Sequence, residues 1–329
     1  MVEIIAEVAQ GFEGKPKQAE QLAEAAIVAD VDVIKFQLVY ADELATPDYH
    51  YYKLFKTLEM PTEVWEGIVK KIQGVKKKVY FDIFGPKSLE IAKSLNADGI
   101  KLSTTEFYNY NLIHRVLGSN FRTILISVGG IPLNDIKELI RRESIRPGKN
   151  IHFIYGFQAE PTPLGSNNLL KISALKKEFP GFKIGFMDHS LGTSEDAVYL
   201  PLMALGTDPS CLEKHITLDP ELKIEDYISA LGPDSFKEFV RLIRKFEAAL
   251  GTSSLDLTDL EKEYRKKAAK VVVALKDISQ GTILTTECVG LKRVGEKFNT
   301  DTINILGDVL GKKAKSDVKK DRPVVREAI

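Results

Sequence analysis

Two short runs place ionisable side chains at the ends of apolar segments: "GFMDHS", residues 185–190, and "CLEKHIT", residues 211–217. The first ends in Asp188 and His189; the second, about one structural unit later, carries Glu213, Lys214 and His215. The chain has five histidines, and two of them stand at these ends. Two imidazoles on adjacent strand ends could hold one divalent metal, with water or substrate oxygens completing its shell. Each could equally be a hydrogen-bonded core histidine. Lysines occur in the same setting: Lys35 follows "VDVI" and Lys101 lies in "GIKLSTTE". Two lysines on neighbouring parallel strands suggest an anionic ligand, a phosphate or a carboxylate. Lys35 could instead reach a rim or pair with Glu7. Asp82, Ser127 and Gln158 fall at comparable places. Ionised groups within apolar runs carry a desolvation cost unless they are paired or bind a ligand. Residue types and spacing therefore point to a metal-assisted enzyme acting on an anionic small molecule, without giving the reaction.

The elements that must hold these groups are legible as an alternation. Eight short apolar runs, at 3–9, 31–39, 78–85, 99–103, 122–129, 151–157, 183–190 and 211–218, are separated by segments with apolar residues at three-to-four spacing. Continuous apolar strands alternating with helices indicate a parallel sheet covered by helices. Eight units in about 250 residues predict a (β/α)8 (TIM) barrel over residues 1–252, whose strand C-terminal ends form the active-site face. No G-x-G-x-x-G follows the first strand, which argues against a dinucleotide-binding sheet. The aromatic-rich connection 40–62 either covers one mouth of the barrel or packs as an excursion with its own short helix. A highly charged helix, roughly 254–268 within a linker 253–269, leads to residues 270–329, which read as a small, mainly β module.

Composition narrows the class. Lys+Arg and Asp+Glu are 46 each among 329 residues, so no basic excess points to nucleic acid or a membrane surface. The N-terminus enters a strand directly, without the pattern of a secretory signal, and no stretch approaches the ~20 apolar residues of a membrane span. Cys211 and Cys288 are far apart, with no CxxC spacing, so neither a disulfide framework nor a thiolate metal site is indicated. The expected location is the cytoplasm.

The runs "IIAEVAQGFEGKPKQAEQLAEAA", "VIKFQ", "GIKLSTTEFYNYNLI", "EPTPLGSNNLL", "IGFMDHSLGT", "LEKHITLD", "GPDSFKEFV" and "GLKRVGE" occur in this order. Nearly the whole chain thereby resembles the sialic acid synthases, a family that includes N-acetylneuraminate, legionaminate and pseudaminate synthases and spore-coat polysaccharide proteins. The module 270–329 is similar to their antifreeze-like (SAF) domain. The resemblance implies condensation of phosphoenolpyruvate with an open-chain amino sugar aldehyde, with C–O cleavage and release of phosphate. It implies that His189 and His215 bind Mn2+ or Mg2+, a Lewis acid for the aldehyde oxygen. It implies that Lys35, Lys101, Thr104 and Ser127 hold phosphoenolpyruvate and that Gln158 supplies a ligand-binding amide. Glu7, Glu106, Glu213 and Asp226 match acidic positions, one of which would activate the attacking water. Arg293 matches an arginine delivered across a domain-swapped homodimer.

The chain also departs from the family. Gly11 and Phe12 stand in place of an Asn-His pair, Ile83 in place of a threonine and Met187 in place of a serine. Two hydroxyl donors are thus missing from the expected phosphoenolpyruvate pocket, each able to contribute ~1 kcal/mol or more. Lys87 or Ser103 could compensate, or the ligand differs, and the acceptor is as readily a 2,4-diacetamido sugar or a less common, related aldose as N-acetylmannosamine. Two other functions compete: a Schiff-base pyruvate aldolase using Lys101 or Lys35, and a catalytically silent relative that binds a sugar or serves assembly.

Overall fold

The computed structural model describes residues 1–148, 150–295 and 301–329. The chain forms two compact units, Met1–Gly251 and Thr252–Ile329.

In the first unit, strands β1 (Glu3–Ala9), β2 (Val33–Leu38), β3 (Lys78–Ile83) and β4 (Gly99–Leu102) are followed by β5 (Thr123–Ser127), β6 (Ile151–Tyr155), β7 (Lys183–Asp188) and β8 (Cys211–Ile216). They pair in sequence order, all parallel, and β1 closes on β8, with Glu7 opposite His215. A two-residue strand, β9 (Ala230–Leu231), adds parallel to the end of β8. The eightfold alternation read from the sequence is therefore a closed barrel.

Helices α1 (Pro16–Val28), α2 (Ala41–Leu44), α3 (Tyr52–Thr57), α4 (Thr62–Gly74) and α5 (Pro86–Ser94) connect the first strands. The others are α6 (Tyr110–Leu117), α7 (Leu133–Arg142), α8 (Leu170–Glu178), α9 (Asp196–Leu205) and α10 (Pro233–Leu250). Proline at the first turn of α1, α5 and α10 suits a position whose N–H has no helical partner. Between helices and sheet lies the main core. Trp65 of α4 sits within 5.3–5.5 Å of the rings of Phe12, Phe36 and Phe81, edge to face. Phe12, one of the departures from the family pattern, is fully buried there and takes no part in the cavity described below.

Strand parity then decides which side chains face inward. Ile5, Val33, Tyr80, Leu125, Ile154, Met187 and Cys211 form a separate buried cluster inside the barrel. Two residues further along the strands, the same face carries Glu7, Lys35, Asp82, Ser127 and Glu213. An apolar plug thus supports a charged floor.

In the second unit, the helix α11 (Asp259–Ala268) begins at Thr258, whose hydroxyl and Glu261 form a reciprocal cap. It starts later than the charge pattern suggests, because the cap and not the charge sets the helix start. β10 (Val271–Ala274) and β11 (Val289–Lys292) pair antiparallel. A small core around Val272, Leu284, Val289, Val309 and Val324 holds them. Both cysteines are free and buried. Among the described residues, no helix is long and apolar enough to cross a membrane.

Candidate active site

At the C-terminal ends of the barrel strands opens a cavity of about 870 Å³. Ten of the residues singled out in the sequence line it: Glu7, Asp82, Lys101, Ser103, Glu106, Gln158, His189, Glu213, His215 and Asp226. A second cavity, about 700 Å³, opens at the N-terminal ends. Of its three lysines, Lys78 and Lys176 are paired with Glu3 and Asp208, and barrel chemistry belongs to the opposite face.

His189 and His215 meet over the floor, their ring centroids 5.1 Å apart and nearly edge to face. The turn carrying His189 is tied down: its carbonyl accepts hydrogen bonds from Thr162 N and Ser229 Oγ, at 2.8 and 3.0 Å. Burial first, then the charge of Lys101, holds His189 down at about 4. Burial, with His189 beside it, holds His215 well below its usual value. Both are neutral imidazoles at physiological pH, the form that binds metal. The Nδ1 of each is buried with no hydrogen-bond partner. Two neutral, unpartnered imidazoles in one cavity fit a divalent cation. Among the described residues no group of three His, Cys, Asp or Glu stands close enough to hold one, so the remaining positions would fall to water or substrate. Asp188, the other half of "DH", faces elsewhere. It holds Lys214 at 2.6 Å and Ser190 Oγ at 2.8 Å in a fully buried knot under the turn.

The lysines lie lower than expected. Lys35 is 0% exposed; it contacts Glu7 and lies 2.7 Å from Asp82 and 3.6 Å from Glu213. Lys101 lines the cavity, 2.7 Å from Glu213 and 3.8 Å from Asp82. They are not on neighbouring strands, as the sequence suggested, because β3 lies between β2 and β4. Burial opposes the charge of Lys101, but Asp82 and Glu213 outweigh it and hold its ammonium protonated. For Lys35 burial prevails over the same carboxylates and lowers its pKa. Glu213 is buried too, yet Lys101 and Lys35 hold it down at about 2.

Thr104 and Ser127 do not line the cavity. Their hydroxyls bond to each other at 2.8 Å. Met187 fills the adjoining space, with its Sδ 4.0 Å from Ser127 Oγ and 3.9 Å from Gln158 Nε2. A Cβ at Gly156 would stand 2.5 Å from Met187 Cγ, so only glycine allows this packing. Lys87 does not replace the missing donors either: its Nζ lies 3.8 Å over the Tyr40 ring. Ser103 does line the cavity.

Three wall carboxyls are pushed up. Burial raises Asp226 to about 7, against the hydrogen bond from Gln10 N and with the help of Glu160 and Glu225. Burial raises Glu106, against hydrogen bonds from Asn109 and Thr105. Burial and Glu225 raise Glu160. The sequence does not single out Glu160, Gln10 and Gln37, nor Glu43 of α2, Phe55 of α3 and Thr46 between them, which also line the cavity. The connection 40–62 therefore both packs as short helices and walls this mouth. Arg293 belongs to the second unit, where its Nε donates to Ala268 O at 3.3 Å.

Comparison with known proteins gives this arrangement a family. The NeuB family matches residues 22–254 and the SAF domain matches residues 269–328. The chain belongs to the NeuB family. It is 29% identical to the spore coat polysaccharide biosynthesis protein SpsE of Bacillus subtilis, over 89% of this chain and 84% of that one. It is 27% identical to a pseudaminic acid synthase of Campylobacter jejuni, over 96% and 93%. In fold it is similar to the crystal structure of the spore coat polysaccharide biosynthesis protein E from Chromobacterium violaceum. That match has a TM-score of 0.82 and 19% identity, and it covers 100% of this chain and 99% of the other.

Proposed function

We propose that this NeuB-family protein condenses phosphoenolpyruvate with an open-chain amino sugar aldehyde to give a sialic-acid-like 2-keto-3-deoxy acid and phosphate. The observation that carries the reading is the pair of neutral imidazoles, His189 and His215, above the protonated Lys101 on the barrel floor. Carbon 3 of phosphoenolpyruvate bonds to the aldehyde carbon, whose oxygen takes up a proton. Water adds to carbon 2 and gives up a proton, and the C–O bond to phosphate then breaks, leaving the ketone. A Mn2+ or Mg2+ ion on His189 and His215 would supply Lewis-acid polarisation of the aldehyde oxygen.

The chain's own groups divide the remaining work. Lys101, the lysine that reaches the cavity, attracts the phosphate or carboxylate of phosphoenolpyruvate. Gln158 offers its amide at the wall. Among the four acids, Asp226 is best matched to proton transfer near neutrality, since its pKa of about 7 lets it both hold and release a proton. Glu213, held near 2 by its lysines, is a weak base. Glu7 is engaged by Lys35 and by Ala9 N. Glu106 stands as a second raised carboxyl. Arg293 would serve a neighbouring subunit's sugar in a domain-swapped homodimer, as the resemblance implies. The acceptor is an acetamido or diacetamido hexose, in keeping with relatives named for pseudaminic acid.

A Schiff-base aldolase is disfavoured by the same geometry. It needs a reachable neutral amine, whereas Lys101 is held protonated and Lys35 is out of reach. The deciding experiment is manganese-dependent phosphate release from phosphoenolpyruvate with a panel of 2-acetamido and 2,4-diacetamido hexoses. Release that depends on one sugar supports the proposal. Metal binding without release from any sugar favours a silent relative.

A further inference from the structure

Between the two lysines stands a residue with no role assigned so far. Asp82 lies on β3, between the strands that carry Lys35 and Lys101. Its Oδ1 accepts a hydrogen bond from Lys35 Nζ at 2.7 Å, and its Oδ2 lies 3.8 Å from Lys101 Nζ. One carboxylate thus bridges both ammonium groups, and its own side chain is nearly fully buried. With Glu7 and Glu213, three carboxylates face two lysines. Lys101 is the one lysine or arginine among the described residues that line the cavity, against eight carboxylates. A floor built to grip a multiply charged anion would leave its lysines unmatched; this one leaves a surplus of negative charge beneath them.

We propose that Asp82 is a positioning residue that sets the anion affinity and specificity of the floor. It holds the two ammonium groups in place while withholding part of their charge from the incoming substrate. Phosphoenolpyruvate is therefore bound weakly at the floor, and free phosphate is released readily after the C–O bond breaks. The inference rests on the reading of phosphoenolpyruvate as the anionic substrate, but the property it assigns to Asp82 is testable without turnover.

Binding of inorganic phosphate and of phosphoenolpyruvate is measured calorimetrically, without acceptor sugar, for the full chain and for Asp82→Asn, Asp82→Ser and Asp82→Glu. Thermal unfolding of each variant is recorded in parallel. The neutral variants are expected to bind both anions about tenfold tighter, the scale of removing one charge a few ångströms away in a partly dry site. In turnover, KM for phosphoenolpyruvate falls while KM for the sugar holds, and Asp82→Glu returns towards the parent affinity. A purely structural role would not tighten anion binding. Folded neutral variants that bind phosphate no tighter than the parent overturn the proposal. Micromolar phosphate binding by the parent chain overturns it as well, even where the variants do not fold. Should the parent release no phosphate with any sugar, the synthase reading fails while the phosphate-binding comparison still decides the role of Asp82.

Discussion

The imidazole of His189 meets that of His215 nearly edge to face, 5.1 Å between ring centroids, and neither Nδ1 has a hydrogen-bond partner. Unpartnered buried nitrogens are costly in a finished core, which supports the proposal that this pair holds a metal ion. Replacing either histidine by alanine should abolish tight Mn2+ binding and lower phosphate release by more than about a hundredfold. Titration calorimetry with Mn2+ checks the first effect independently of the second. A His189→Ala protein that binds Mn2+ as tightly as the parent contradicts the assignment.

Lys35 is the keystone of the floor, in contact with Glu7, Asp82 and Glu213. Lys35→Met would leave carboxylates buried without their cation, and should cost about 3–5 kcal/mol of stability. The double variant Lys35→Met, Glu7→Gln should recover part of that loss. Denaturant titrations of the single and double variants measure both. A single variant as stable as the parent would show that the three carboxylates do not depend on Lys35.

Asp226 links pH to both activity and stability. Its folded value of about 7 lies above the usual aspartate value. From about pH 4 to 7 the folded protein keeps a proton that the unfolded chain has given up, so this group's contribution makes stability fall as pH rises through that window. Asp226→Asn should remove this slope from the stability profile and flatten the activity limb near pH 7. An unchanged activity profile in the variant excludes Asp226 as the titrating group.

His152 gives the opposite slope. Burial, with Lys183 and Lys78 nearby, holds it down at about 4. The unfolded chain takes up its proton as pH falls below 6.5, while the folded protein resists until about 4, so stability is lost on acidification through this range. His152→Gln should flatten that segment of the profile, measured by denaturant titration at successive pH values.

The wall formed by α2 depends on one glycine. Glu43 caps α5, accepting from Ser88 N at 3.0 Å and Ser88 Oγ at 2.9 Å. A Cβ at Gly85 would stand 2.4 Å from Glu43 Cδ. Gly85→Ala should displace the cap, cost about 1 kcal/mol, and raise KM for the sugar, because Glu43 and its neighbours line the cavity. Parent-like KM would show that α2 does not shape the acceptor site.

The barrel was legible because parallel strands buried on both faces leave continuous apolar runs, and the imidazoles because histidines at the ends of such runs are conspicuous. Strand parity also held the clue to Asp82, two residues beyond the inward-facing Tyr80. The height of Lys35 was not legible: spacing gives the face of a strand, not how many carboxylates converge from β1, β3 and β8. Nor was the role of Asp188, since its partner Lys214 lies on the next strand. Glu43, on the single turn of α2, and Glu160, on a loop, reach the cavity from segments too short or irregular to leave a periodic signal.

The most direct test of the synthase account follows the bridging oxygen of phosphoenolpyruvate. The substrate is labelled with oxygen-18 between carbon 2 and phosphorus, and the products formed with Mn2+ and the sugar panel are weighed by mass spectrometry. The account requires that one sugar support turnover, with the label in phosphate and an unlabelled oxygen from water at carbon 2 of the keto acid. Label retained in the organic product, or no sugar-dependent release despite bound Mn2+, contradicts it.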